Sequence, residues 1–356
     1  MIRSLARFGC VVGMIVVAGA TVGCSTNKTT GRSQFAMLSP DEERAIGISE
    51  GPKLTAEFGG ESPNPQLRAY ITEVGMKLKD QTEEDGPQRV WVFTLLNSDV
   101  INAFALPGER VFMSQGLADQ MTNEAQLAGV LGHEIGHVMA RHTSERMGQA
   151  AGANILAGAA SVIAGATIKD PTLAGAVPQI VGAGGQVVTL KFSRDQESEA
   201  DSLGMRYMTK AFYNPRGQLE VMEILKRESG ESGGSMEMLA THPLPQTRIE
   251  RVQKELQTKY AFTQSGPDAA KYQFFPERFR QRYLDVRAAE KKAAPAPATP
   301  AAPNKSTKPA QKSKTGALPV DGKGRTRNLA FVYEDPTTWC SICRWNAEQG
   351  IVEDAH

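Results

Sequence analysis

Two short stretches constrain this chain more than any other part of it. Residues Gly132-His133-Glu134-Ile135-Gly136-His137-Val138 come first, and sixty positions after His137 the chain reads Glu197-Ser198-Glu199-Ala200-Asp201. On an α-helix, residues four apart stack one turn above each other, so His133 and His137 can present two imidazole nitrogens to one metal ion. Glu134 then lies beside the ion without ligating it. A carboxylate there can take a proton from water polarised by the metal and return it to a leaving amine. The apolar neighbours Leu127, Val130, Leu131, Ile135, Val138 and Met139 argue for a buried helix rather than an exposed one carrying two solvated histidines.

The second stretch follows Ser193-Arg194-Asp195-Gln196, a capping box that predicts a helix from there to about Phe212. With Glu197 at 0° and about 100° per residue, Ala200, Leu203, Gly204, Tyr207, Met208 and Ala211 centre near 300°. Glu197 lies within about 60° of that buried face and Asp201 about 100° from it on the same side. Glu197 is therefore the expected third ligand, and Asp201, one turn later, is placed to accept the second ring N–H of a ligating histidine. Asp195 points away and Glu199 falls on the opposite shoulder, so both are expected on the solvated face. Gly129, Gly136 and Gly204 supply the small residues that a crowded metal needs around it.

These residues, together with Asn102-Ala103-Phe104-Ala105-Leu106-Pro107-Gly108 and Thr241-His242-Pro243 followed by Arg248-Ile249, occur in an order that resembles the HtpX/BepA-like zinc metallopeptidases, relatives of the CAAX prenyl proteases. The resemblance covers roughly residues 30 to 260 and rests on four ordered motifs. It implies a gluzincin peptidase with two His and one Glu on a single zinc ion, acting on membrane-associated or misfolded proteins. The chain departs from it at Glu109, where relatives carry a small residue, which suggests a more polar substrate edge.

Residues 90–96 and 110–113 read as strands, joined through Asn97-Ser98-Asp99 and a Leu106-Pro107-Gly108 turn. A peptidase can hold an extended substrate by adding it to an exposed sheet edge, which supplies main-chain hydrogen bonds without demanding a sequence. Ala103, Phe104 and Ala105 are the candidate edge; an ordinary hairpin facing the core is the alternative.

The N-terminus carries Arg3 and Arg7, an uncharged apolar run from Phe8 to Val22, then Gly23-Cys24-Ser25. This reads as a signal peptide over 1–23 ending in a lipobox-like sequence, with Cys24 as the lipidated residue. Several acyl chains on Cys24 would hold the protein on a membrane where one would not. Ser25 after the cysteine favours the outer membrane, facing the periplasm. Cleavage near Ala18-Gly19-Ala20 with soluble secretion, or an uncleaved anchor, are the alternatives. Forty basic against 39 acidic side chains give no electrostatic case for nucleic acid.

Ser39-Pro40-Asp41-Glu42 combines a capping box with a proline at the first helical position and predicts a helix towards Phe58. A second helix is expected from Pro65 to about Asp80, and the metal-binding helix from Thr122. Residues 147–190 carry little charge but too much Gly, Ala, Gln and Ser for a membrane hairpin, and read as two small-residue helices forming a lid or insertion over or beside the active site, with dipping into the membrane as the alternative. The peptidase domain is expected over 24–285. An Ala/Pro/Lys-rich segment over 286–316 reads as a flexible tether, and 317–356 as a small extension of unknown role. Its Cys340 and Cys343 suit a local disulfide in an oxidising compartment, with redox or half-zinc-site readings open.

His142 falls nine positions after His133, about 180° around a continuing helix, and is expected at the surface. His242 sits in a loop before Pro243, from which its imidazole could face the metal, and Arg248 could point its guanidinium at the oxyanion formed when water attacks. The residues alone leave a capping or packing role equally open for this pair; the resemblance favours a functional one. His242 could also serve as a fourth ligand that closes the site at rest.

The expected protein is thus a mainly helical α+β gluzincin domain with a small sheet, an active-site helix and a second ligand-bearing helix. It would be a zinc endopeptidase acting on protein or peptide substrates in envelope quality control. The competing class is a non-catalytic, chaperone-like lipoprotein that holds clients in the same groove. Retention of Glu134 favours catalysis, since holding a client needs no general base.

Overall fold

The structure, a computed structural model, describes residues 24–36, 38–83, 85–150, 191–231 and 237–293. The expected leader, residues 151–190 of the expected lid, and everything from 294 on, including Cys340 and Cys343, lie outside the described residues.

The chain enters through a two-stranded antiparallel hairpin, β1 (Cys24–Thr26) and β2 (Ser33–Phe35). Helix α1 (Pro40–Glu57) starts where the capping box places it, with Ser39 and Glu42 bonding each other's backbone N–H and Pro40 at the first position. Helix α2 (Pro65–Lys79) is capped by Asn64. Three strands follow: β3 (Val92–Leu96), β4 (Ala103–Leu106) and β5 (Arg110–Ser114). Their order is β3-β5-β4, with β5 parallel to β3 and antiparallel to β4. The Ala103–Ala105 segment therefore belongs to an edge strand, and no strand pairs its outer side among the described residues.

Gly108 turns the β4–β5 hairpin at φ 79°, so close to α1 that a Cβ would lie 2.5 Å from Arg44 Cα. Glu109 follows at φ 60° and is buried, its carboxylate 3.3 Å from the Arg89 guanidinium. Its charge is thus committed to that ion pair within the fold, and the polar substrate edge suggested by the sequence does not follow from it.

Helix α3 (Glu124–Met139) carries the first motif, and every residue in it is buried. Its cap is Asn123 rather than Thr122, because the Asn123 side chain accepts the Gln126 N–H at 3.0 Å. Helix α4 (Arg194–Lys210) carries the second motif behind the Ser193 capping box. Glycines let α3 and α4 approach closely: a Cβ on Gly136 would lie 2.8 Å from Ala200 O, and one on Gly204 would lie 2.9 Å from His133 N. Leu127, Leu131 and Ile135 of α3 pack with Leu203 and Tyr207 of α4, Ile71 and Val74 of α2 and Leu95 of β3 in one core. Full burial of each such aliphatic side chain contributes roughly 1.5–3 kcal/mol.

Helices α5 (Arg216–Glu231) and α6 (Gln246–Gln257) complete the bundle. Beyond α6 the chain returns to the core, where Phe279 and Tyr283 are buried. Arg278 there pairs with Glu124 at the start of α3, a carboxylate that also accepts Tyr70 Oη at 2.7 Å and Tyr213 Oη at 2.6 Å. A last helical segment, Asp285–Ala293, continues past the boundary that composition suggested near residue 285. Among the described residues no helix is long and apolar enough to cross a membrane.

Candidate metal centre

The close crossing of α3 and α4 brings their motifs face to face. His133 Nε2 and His137 Nε2, stacked one turn apart on α3, lie 3.1 Å from each other. Glu197 reaches them from the first turn of α4, with Oε1 3.4 Å from His137 Nε2 and Oε2 3.6 Å from His133 Nε2. From the loop before α6, His242 adds Nδ1 at 3.0 Å from Glu197 Oε1 and 3.3 Å from His133 Nε2. One atom from each of the four residues falls within 4.8 Å of the others, all are buried, and the group is able to hold one metal ion.

The donor chemistry fits zinc, for which three imidazole nitrogens and one carboxylate oxygen form a normal tetrahedral set. The site's electrostatics favour a cation too. Burial disfavours charge on His242, yet Glu197 and Glu134 outweigh it and raise its pKa. Burial pushes His137 well below the ordinary imidazole range, towards the neutral form that ligates.

The residues around the ligands have definite partners. Asp201 Oδ1 lies 3.0 Å from His133 Nδ1 and accepts Gln218 Nε2 at 2.7 Å. Arg248 donates Nε and Nη2 to Asp201 at 2.6 and 2.8 Å, and Nη1 to Pro243 O at 3.2 Å; Nη1 also pairs with Glu197. Every guanidinium nitrogen thus has a protein acceptor, so in this arrangement Arg248 braces Glu197 and Asp201 rather than extending into the groove. Burial opposes charge on Asp201, but the Arg248 guanidinium and the His133 N–H hold its carboxyl well below the usual carboxylate range.

Glu134 is different. It is 1% exposed, and neither of its oxygens has a hydrogen-bond partner. Its nearest ionisable neighbour is His242, with Nε2 at 3.7 Å and itself unpartnered. Burial raises the Glu134 pKa, with His242 and His133 pulling the other way. A buried carboxylate left without donors beside a ligand cluster is costly unless a reactant or an ion meets it.

Two expectations fail. His142 is 0% exposed rather than on the surface, because α3 stops at Met139 and Arg141 turns the chain at φ 56°; a new helical stretch over 142–150 then carries His142 back onto His137. Glu199 is half-buried rather than solvated, since it accepts His142 Nε2 at 2.9 Å. Asp195 is exposed, as the helical phase predicts. The sequence reading also passed over Phe192, whose ring centroid lies 4.0 Å from that of His137 and 5.1 Å from that of His242. Its position immediately before the capping box was the only available signal.

Residues 64–256 match peptidase family M48. The chain is 30% identical over 251 residues to the beta-barrel assembly-enhancing protease of Escherichia coli (strain K12), covering 67% of this chain and 48% of that protein. It is 33% identical over 242 residues to the mitochondrial metalloendopeptidase OMA1 of Saccharomyces cerevisiae, covering 63% and 67% respectively. The chain spans about half the length of the beta-barrel assembly-enhancing proteases it matches.

Proposed function

Because the chain belongs to peptidase family M48, we propose that it is a zinc-dependent endopeptidase of the cell envelope that cleaves misfolded or membrane-associated proteins in periplasmic quality control. The observation that carries catalysis is Glu134, a buried carboxylate with both oxygens unpartnered beside four convergent metal-ligand atoms. A protein that only held clients would have no use for it. The envelope reading draws on the lipobox-like Gly23-Cys24-Ser25 and on the relative named for beta-barrel assembly.

When bound by His133, His137 and Glu197, zinc supplies Lewis acidity towards water and the scissile carbonyl. The chain's own residues do the rest. Edge strand β4 offers Ala103, Phe104 and Ala105 as a template for an extended substrate, with main-chain hydrogen bonds that select no particular sequence. Glu134 takes the proton of the attacking water and returns it to the leaving amine, a transfer suited to a pKa raised by burial. His242 Nε2, unpartnered and 3.7 Å from Glu134, is free to donate to the developing oxyanion. Arg248 holds Glu197 and Asp201 in register. With Nδ1 inside the ligand group, His242 would also close the site at rest and release it when substrate arrives.

The test is zinc content and casein cleavage by the purified wild type and Glu134→Gln. The variant should keep its zinc and its fold and lose about 10²–10⁴-fold in kcat. Equal cleavage by the two proteins refutes the catalytic role.

A further inference from the structure

His142 is a buried imidazole in the same cluster that the proposed reaction leaves without work. Its Nδ1 lies 2.9 Å from His137 Nδ1, and its Nε2 lies 2.9 Å from Glu199 Oε2. Glu199 Oε2 in turn accepts Arg32 Nε at 3.3 Å and Nη2 at 3.2 Å. The same guanidinium forks onto Glu145, Nη1 to Oε1 at 2.7 Å and Nη2 to Oε2 at 2.8 Å, and Gln196 at the start of α4 donates to Glu145 at 2.9 Å. Arg32 directly precedes β2, and Asn27 in the β1–β2 connection donates to Met139 O, at the end of α3, at 3.0 Å.

The protons in this chain have one consistent arrangement. His137 offers Nε2 to the ligand group, so that nitrogen is bare and its single proton sits on Nδ1. That N–H donates to His142 Nδ1, which must then be bare as well. The proton of His142 therefore sits on Nε2 and donates to Glu199. An ionised carboxylate only accepts, and Arg32 only donates, so the direction cannot reverse.

We propose that His142 is a positioning residue for the metal ligand His137, and that Glu199 and Arg32 fix its tautomer, joining the N-terminal hairpin to the metal centre through one hydrogen-bonded chain. This rests on the reading of His137 as a ligand. The two histidines of α3 are then oriented in different ways: His133 by the Asp201 carboxylate directly, at 3.0 Å, and His137 by a carboxylate acting through an intervening imidazole. Partners of this kind hold ring orientation, and their loss costs about 10–100-fold in metal affinity.

Packing and hydrogen bonding predict opposite rankings for two variants. His142→Phe keeps an aromatic ring in the space beside Phe192 but cannot accept a proton. His142→Asn gives up volume but keeps an acceptor close to the position of Nδ1. The full chain is titrated with zinc against a competing chelator, and its cobalt-loaded form is examined by visible absorption. His142→Phe should bind zinc about 10–100-fold more weakly and shift the cobalt bands. His142→Asn should recover most of both, and Glu199→Ala should weaken zinc in the same direction by less. Wild-type affinity in a folded His142→Phe, or His142→Asn binding no tighter than His142→Phe, overturns the proposal. Should circular dichroism find His142→Phe unfolded, wild-type affinity and cobalt bands in Glu199→Ala overturn it instead. A wild-type chain that takes up no zinc refutes the ligand reading itself, and the relay with it.

Discussion

Replacing Gly136 and Gly230 separately by alanine should give stability changes of opposite sign, although both lie inside helices. In a helix interior the exchange is favourable by about 1 kcal/mol, because alanine loses less backbone entropy on folding than glycine. At Gly230, the next-to-last residue of α5, a Cβ meets nothing within 4 Å, so a part of that gain should appear with no steric cost against it. At Gly136 the added carbon would lie 2.8 Å from Ala200 O, 3.1 Å from Ala200 Cα and 3.2 Å from Leu203 Cβ. These are backbone and near-backbone atoms of α4, and none can swing aside as the end of a long side chain would. Relief requires α3 and α4 to separate by a few tenths of an ångström, and overpacking of this kind costs about 1–3 kcal/mol. Taking about 2 kcal/mol as the cost, Gly136→Ala should be about 1 kcal/mol less stable than wild type. The gap from Gly230→Ala is then about 1–2 kcal/mol, or roughly 2–8 °C in Tm for a domain of this size. The same separation moves Glu197 away from His133 and His137, so zinc affinity should fall in Gly136→Ala and stay at the wild-type value in Gly230→Ala. Thermal unfolding and chelator competition read both effects. Equal stabilisation by the two substitutions, or unchanged zinc affinity in Gly136→Ala, would refute the argument that this crossing sets the metal geometry.

Three further outcomes follow from the same site and its surroundings. Glu197→Ala should lose most of its zinc by metal analysis, whereas Glu199→Ala should keep a bound but weaker metal; the reverse order would show that α4 is misassigned in phase. Arg248→Met leaves Asp201 and Glu197 buried without their cation, and denaturant unfolding of the metal-free protein should register a loss of about 3–5 kcal/mol; an unchanged midpoint would show that the pair contributes nothing. Hydrogen bonds from Arg32 hold the Glu145 carboxyl below its ordinary value of 4.5. A group whose folded pKa is depressed stabilises above the unfolded value and loses that contribution as pH falls through the folded one. The stability curve should therefore drop below about pH 4.5, and Arg32→Met should flatten that part of it; an identical acid limb in the variant would contradict the pairing.

What the sequence determined by itself is local. The four-residue spacing of His133 and His137, the phase of Glu197 on its helix and the Ser39 and Ser193 capping boxes depend only on helical geometry and on hydrogen bonds within one turn, so they are legible without a fold. Strand existence was legible too, since residues near 92–96 and 110–114 are β-formers between turn signals. The sequence did not reveal that β5 lies between β3 and β4 and runs parallel to β3, because pairing order is a long-range choice made by the helices that cover the sheet. His142 and Glu199 mark the same limit within the site. Counting by 100° sends His142 to the surface only if α3 continues, and a single left-handed residue, Arg141, ends that count. No pattern within one segment announces that Arg32 and Glu199 will meet 167 positions apart. Their contact belongs to a set of hydrogen bonds, Asn27 to Met139 O and Arg32 to Glu145 among them, that docks the N-terminal hairpin on the end of α3. Tertiary structure alone decided it, since a hydrogen bond between distant segments is fixed by where the whole fold places their partners and not by either segment's own preferences.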